Sequence, residues 1–182
     1  MIRAYVVTEG DADARILRRL LPDELTQDAK FVVAGGRSAA ESLARSLRIA
    51  KQAPVALVFD TDTTDQESVD EQREFLESYL KHGSGAAPFE VFPAVPQIET
   101  VFFEDRSLVE RVTRRKFSDL EWRLAKGQPK QLLRDALPDG ADPVERVLAA
   151  VDRESLESLR RHPLLRRLGE FLSSVLQDSH ST

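Results

Sequence analysis

Two segments that end in acids constrain this chain most: Val6-Val7-Thr8-Glu9-Gly10-Asp11-Ala12-Asp13 and Val55-Ala56-Leu57-Val58-Phe59-Asp60-Thr61-Asp62. Each acidic stretch follows a buried-type apolar run, the kind found in parallel sheets covered on both faces. A parallel sheet delivers its strand exits to one edge, where open α/β sheets bind their ligands. Both sets of carboxylates are therefore expected at the same edge, which makes it a candidate magnesium site.

The rest of the first half fits that sheet. Ile2 to Thr8 reads as a strand, and Ala12 to Leu21 places Ile16, Leu17, Leu20 and Leu21 at helical spacing before Pro22. Lys30 to Ala34 reads as a second strand closed by Gly35-Gly36, followed by a helix from Ser38 to Ala50 with Leu43, Leu47 and Ala50 on one face. Val55 to Phe59, a polar turn and a helix from Glu67 to Leu80 form a third unit; Gly83 to Pro88 is a loop and Phe89 to Val95 a fourth strand. Beyond Ile98 the pattern turns helical, with candidates at 99–103, 108–116, 120–124, 129–137, 143–150 and 164–176, and a frayed tail after Gln177. The expected fold is α/β: a mostly parallel four-stranded sheet flanked by helices (residues 1–104) with a helical C-terminal extension (105–182) packed on it.

Composition narrows the chemistry. The chain has no cysteine and only three scattered histidines, His82, His162 and His180, so any metal must be held by oxygen. No long apolar stretch or leader pattern occurs, which predicts a cytoplasmic protein without a membrane span. A net charge of −5 argues against coating nucleic acid by bulk electrostatics. Basic clusters at Arg111, Arg114, Arg115 and Lys116 and at Arg160, Arg161, Arg166 and Arg167 read first as charged helix faces and second as phosphate contacts. Trp122 reads as a packing residue.

Four acids carry the chemistry. Glu9 sits at a strand end, and the opening turn of the next helix can fold Asp13 back toward it, with Gly10 allowing the tight exit. Asp60 and Asp62 are two apart, so an extended backbone would point both to one face to share a cation. The competing role is helix capping, for which Asp11 and Asp65 are well placed. Gly35-Gly36 would let a phosphate approach the backbone, with Arg37-Ser38 opening a helix whose N-terminus favours anions; the alternative is a plain turn with Ser38 as cap.

Glu9-Gly10, Gly35-Gly36 and Asp60-Thr61-Asp62, each after a strand and in this order, resemble the Toprim domain of topoisomerases, primases and OLD-family nucleases over residues 1 to 104. The longer Glu9-Gly10-Asp11-Ala12-Asp13 and the Gln97-Ile98-Glu99 segment look most like the OLD type. That resemblance implies a Mg2+- or Mn2+-dependent nuclease with Glu9, Asp13, Asp60, Asp62 and Glu99 as metal ligands and Glu9 as a catalytic group. It also implies a catalytic lysine, for which Lys126 and Lys130 compete; Lys130, opening a helix after Pro129, is preferred. Gln97 departs from the pattern, which usually has serine or aspartate there. No Gly-x-x-x-x-Gly-Lys-Ser/Thr loop occurs, so a nucleic acid substrate would be handled with a separately encoded ATPase. Self-association through Leu164, Leu165, Leu168, Phe171, Leu172 and Val175 is the alternative, although packing of that stripe on the chain's own sheet is favoured over either partner surface.

Two other functions compete. Asp60-Thr61-Asp62-Thr63-Thr64 also resembles the nucleophile motif of haloacid-dehalogenase-like phosphatases, with Glu104-Asp105 as the required later acidic pair. A receiver-like, inactive interaction domain is the other. Topoisomerase strand passage needs a nucleophilic tyrosine, whereas Tyr5 lies in a strand and Tyr79 on an amphipathic helix.

Overall fold

The structure is a computed structural model that describes residues 3–82 and 87–178. Ile2, residues 83–86 of the expected loop, and the tail beyond 178 with His180 lie outside the described residues. β1 (Ala4–Thr8), α1 (Asp11–Leu20), a one-turn helix α2 (Asp23–Thr26), β2 (Ala29–Val33), α3 (Arg37–Lys51), β3 (Val55–Asp60), α4 (Gln66–Lys81) and β4 (Phe89–Ala94) come first. A 3₁₀ helix (Ile98–Glu104) and six helices follow: α5 (Arg106–Thr113), α6 (Asp119–Lys126), α7 (Pro129–Ala136), α8 (Pro143–Ala149), α9 (Arg153–Leu159) and α10 (Pro163–Asp178).

The strands form one sheet in the order β2-β1-β3-β4, with every neighbouring pair parallel. Strand periodicity divides its side chains between two apolar layers. Ala4 and Val6 of β1, Ala56 and Val58 of β3, and Phe92 and Ala94 of β4 enter one cluster. Val7, the odd-numbered β3 residues Val55, Leu57 and Phe59, and Val91 enter the other, with α3 and α4. The larger layer also takes in Leu17, Phe102, Leu133, Leu168 and Leu172, so one continuous apolar cluster joins the sheet to the C-terminal helices. α10 lies against β4 and β1, and its stripe from Leu164 to Val175 is buried there. That surface is spent within the chain.

Differences from expectation have local causes. In α3 the most buried line is Ala40, Ala44 and Arg48, while Ala50 is exposed. Arg48 enters the core because its guanidinium donates to the Leu80 and Ala87 carbonyls and lies 4.6 Å over the Phe89 ring. The segment expected as a helix at 99–103 is a 3₁₀ helix, with Ile98, Glu99, Val101, Phe102 and Phe103 all buried. The helix expected over 108–116 begins earlier, where Asp105 caps it, and stops at Arg114, whose φ is 53°. α2 and α9 were not expected: α2 is too short to show periodicity, and α9 is announced by the Asp152 cap, which accepts from Ser155 N at 2.8 Å.

Most of the basic clusters are engaged internally. Arg111 meets Asp152 at 3.3 Å, Arg115 meets Glu121 at 2.6 Å, Lys116 meets Glu110 at 2.7 Å and Arg167 meets Glu90 at 2.7 Å. Arg160 donates to the carbonyls of Leu20 and Leu21. Trp122 packs beside Phe103 and Phe117 at centroid distances of 4.9 and 5.7 Å. No helix among the described residues is long and apolar enough to cross a membrane.

Because Leu168 is fully buried in the layer shared by sheet and extension, Leu168→Ala should cost about 2–5 kcal/mol in urea unfolding. Leu124→Ala, at a position 67% exposed, should change stability by no more than about 0.5 kcal/mol.

Candidate functional site

The exits of β1, β2 and β3 are stitched together by Glu9. Its carboxylate accepts from the Asp60 N–H at 3.1 Å, bridging the ends of two adjacent strands. Its backbone carbonyl accepts from Gly35 N at 2.9 Å and Gly36 N at 3.0 Å, and the Thr8 carbonyl accepts from Ala34 N. Arg37 closes the same corner: its guanidinium donates to the Asp60 carbonyl at 3.1 Å, pairs with Glu41 at 3.1 Å and lies 4.7 Å over the Phe59 ring.

Asp13 and Asp60 are held by neighbouring amides, and Asp62 by a side-chain amide. Asp13, in the first turn of α1, accepts from Gly10 N at 2.9 Å; Asp60 accepts from Ile98 N at 2.9 Å. Asp62 accepts from the Gln97 side-chain amide at 3.1 Å. Glu99, on the 3₁₀ helix that follows the β4 exit, is 2% exposed. Its Oε1 lies 3.9 Å from Lys130 Nζ, and its buried Oε2 has no hydrogen-bond partner. α7 packs on the 3₁₀ helix, which is how Lys130 reaches Glu99.

Burial makes this edge reluctant to hold negative charge. It lifts the Asp60 carboxyl to about 8; the charges of Asp13 and Glu99 add to the rise, against the Ile98 N–H and Lys130. Burial also raises Glu9, Asp13 and Glu99 above their ordinary values. Arg37 opposes the rise at Glu9, and Lys130 opposes it at Asp13 and Glu99. Asp62 is exposed and adds its charge to Glu9 from the rim. Of the five acids expected as ligands, Glu9, Asp13, Asp60 and Glu99 are poorly hydrated and lie near enough for their charges to act on one another, while Asp62 stays at the exposed rim. Among the described residues no three His, Asp or Glu side chains are gathered as a bound ion would gather them.

Several expected details take a different form. Asp62 does not continue an extended strand: β3 ends at Asp60, and Asp62 has a φ of 53° with its N–H donating to the Pro96 carbonyl. The Gly35 and Gly36 amides are occupied by the Glu9 carbonyl, which removes them as phosphate donors. These glycines instead supply the positive φ angles of 84° and 135° that the turn requires. Ser38 is exposed and is not the cap; the helix starts from Gly36 without a side-chain cap. Gly10 has extended backbone that any residue adopts, so the strand exit needs no glycine there. Asp13, rather than Asp11, satisfies the start of α1, while Asp11 pairs with Arg15 at 3.0 Å. Asp65 does cap α4, accepting from Ser68 N at 2.9 Å.

The two candidate lysines separate. Lys130 stands at the acids, whereas Lys126 is exposed and its charge acts on His162. Arg37, expected as part of a phosphate site with Gly35, Gly36 and Ser38, instead donates to the Asp60 carbonyl. Sequence reasoning missed Arg134, which gave no signal beyond lying four residues after Lys130.

The raised carboxyls give a signed pH dependence. The folded protein retains protons that the unfolded chain releases, so stability should fall as pH rises from about 5 to 8 without metal. Asp60→Asn should flatten that fall and melt higher than the parent at pH 8, as thermal melts in chelator across this range would record.

No family model matches the sequence, and no curated protein matches it. Solved structures do. The C-terminal region of the Burkholderia pseudomallei OLD protein matches at TM-score 0.47 and 15% identity, covering 96% of this chain and 99% of that one. The C-terminal region of the Xanthomonas campestris pv. campestris OLD protein matches at TM-score 0.50 and 12% identity, covering 98% of each chain. At that identity the likeness is one of fold, and it spans sheet and helical extension together: the chain folds as the C-terminal region of an OLD protein does.

Proposed function

We propose that the chain is a divalent-metal-dependent phosphodiesterase, most specifically a nuclease, working at the shared exit of β1 and β3. The observation that carries this is the buried Glu99 Oε2 with no hydrogen-bond partner, set among carboxyls that burial and one another's charges raise. A lone buried acceptor costs about 1–3 kcal/mol, and more when charged. A cation ligated by several of these oxygens removes both that cost and the mutual repulsion.

Glu9, Asp13, Asp60, Asp62 and Glu99 would hold Mg2+ or Mn2+, an all-oxygen donor set of the kind hard cations take. When bound, the metal supplies Lewis-acid polarisation of a phosphoryl oxygen and lowers the pKa of a water. The chain's own groups do the remaining work. Lys130, already beside Glu99, offers positive charge to the phosphate as negative charge develops. Arg37 holds the β3 exit through the Asp60 carbonyl, and Gln97 holds Asp62 at the rim. Glu9 keeps one oxygen on the Asp60 N–H, which orients the other for ligation or for accepting a proton from water.

The phosphatase alternative finds less support. Its later acidic pair would be Glu104-Asp105, but Asp105 is committed to capping α5 through Leu108 N at 3.0 Å.

Incubation with plasmid, single-stranded DNA and RNA in Mg2+ or Mn2+ tests the proposal. The parent should cleave at least one substrate and Asp60→Ala none. Glu9→Gln, which preserves the shape and an acceptor for Asp60 N–H, should fold normally and cleave about 100-fold or more slowly. Full cleavage by a folded Glu9→Gln protein contradicts the role given to Glu9.

A further inference from the structure

Beside the acids lies a recess of about 340 Å³ between α7 and the segments carrying Asp62 and Gln97. Asp62, Gln97, Gln128, Lys130, Gln131 and Arg134 line it, and no apolar side chain larger than Pro96 does. Catalysis as proposed uses only Asp62 and Lys130 in direct roles. Arg134 is exposed and forms no hydrogen bond or ion pair among the described residues, although its charge acts on Glu99. In this chain, where Arg15, Arg37, Arg106, Arg111 and Arg115 are all paired with acids, an uncommitted guanidinium in a recess at the acidic edge is available for an anion.

Geometry restricts which anion. Lys130 and Arg134 are four residues apart on α7, hence on one face and about 6 Å apart along the axis. A backbone spacing of that size lets the two charges stand at successive phosphates of an extended strand. A recess of this volume is at the small end of ligand cavities, close to the size of one nucleotide. Its three glutamine amides offer both donors and acceptors, as base edges and sugar hydroxyls require. Gln97 is aligned by Asp62 at 3.1 Å and Gln131 by Asp135 at 2.7 Å. A base stacked in a duplex could enter such a concavity only by flipping out, whereas a single strand presents it directly.

We propose that this recess is the subsite for the nucleotide beside the scissile bond of a single-stranded nucleic acid, with Arg134 binding the phosphate next to the one at Lys130. The inference rests on the phosphodiesterase function proposed above, and names its substrate form and a specificity residue. Arg134 is a binding residue here; no chemistry is assigned to it.

The test measures fluorescence anisotropy of a short labelled oligothymidylate and of the same strand in duplex. Ca2+ replaces Mg2+, strand integrity is checked by electrophoresis, and salt is varied. Folding of each variant is verified by its melting temperature. The parent should bind the single strand more tightly than the duplex. Arg134→Gln should bind it about tenfold more weakly, with the slope of log affinity against log salt reduced by about 0.7, the signature of one lost single-strand phosphate contact. Arg134→Lys should recover most of that slope. Unchanged affinity and slope in Arg134→Gln, no binding by the parent, or preference for the duplex would each overturn the proposal. Cleavage assays on the same proteins keep the two ideas apart: cleavage without an Arg134 effect on binding sinks the subsite alone, and binding with the Arg134 signature but no cleavage sinks the nuclease function and leaves the recess a single-strand binding site with no scissile bond beside it.

Discussion

Parallel pairing of β1 with β3 at the centre of the sheet is the constraint on which the candidate site depends. Because the two strands run in the same direction, with Val6 opposite Ala56, their exits emerge side by side. Glu9 can then reach across to the Asp60 N–H, and its carbonyl can anchor the Gly35-Gly36 turn that launches α3 and Arg37. An antiparallel partner would send Asp60 to the opposite end of the sheet. The sheet's two apolar layers hold this arrangement in place, and the layer that includes the C-terminal helices also brings α7, with Lys130 and Arg134, to the acidic edge.

The same placement creates the tension that the proposed function resolves. Strand ends in a sheet covered on both sides are poorly hydrated, so carboxylates gathered there are costly when ionised. Backbone amides of Gly10, Asp60 and Ile98 each satisfy one acid, and Lys130 offsets part of the charge on Asp13, Asp60 and Glu99. Glu99 Oε2 remains without a donor and Asp60 favours its neutral form. Apolar residues at these positions would be cheaper for folding alone, and a bound cation, as proposed, would favour the ionised state.

Much of this was legible in the sequence because it depends on local pattern. Apolar runs before Glu9 and Asp60 mark covered parallel strands, and Gly35-Gly36 marks the close of the second strand. What could not be read depends on tertiary placement. Lys126 and Lys130 compete in the sequence, where Lys130 is preferred only for its place at the start of a helix, and the packing of α7 on the 3₁₀ helix is what brings it to Glu99. The extended geometry assumed for Asp62 fails because its N–H turns to the Pro96 carbonyl, a contact 34 residues away in sequence. Arg134 carried no pattern of its own. Arg48 broke the apolar face of α3 because its partners, Leu80 and Ala87, lie on distant segments.

The central claim is that the clustered acids exist to hold a divalent cation. Thermal melting at neutral pH with and without Mn2+, for the parent and for the Asp60→Ala/Asp62→Ala double variant, tests it most directly, since a ligand that binds only the folded state raises its melting temperature by mass action. The parent should melt higher with Mn2+, increasingly so with concentration, and the folded double variant should not respond. A parent indifferent to Mn2+, or an equal rise in the double variant, would contradict a metal site at this edge.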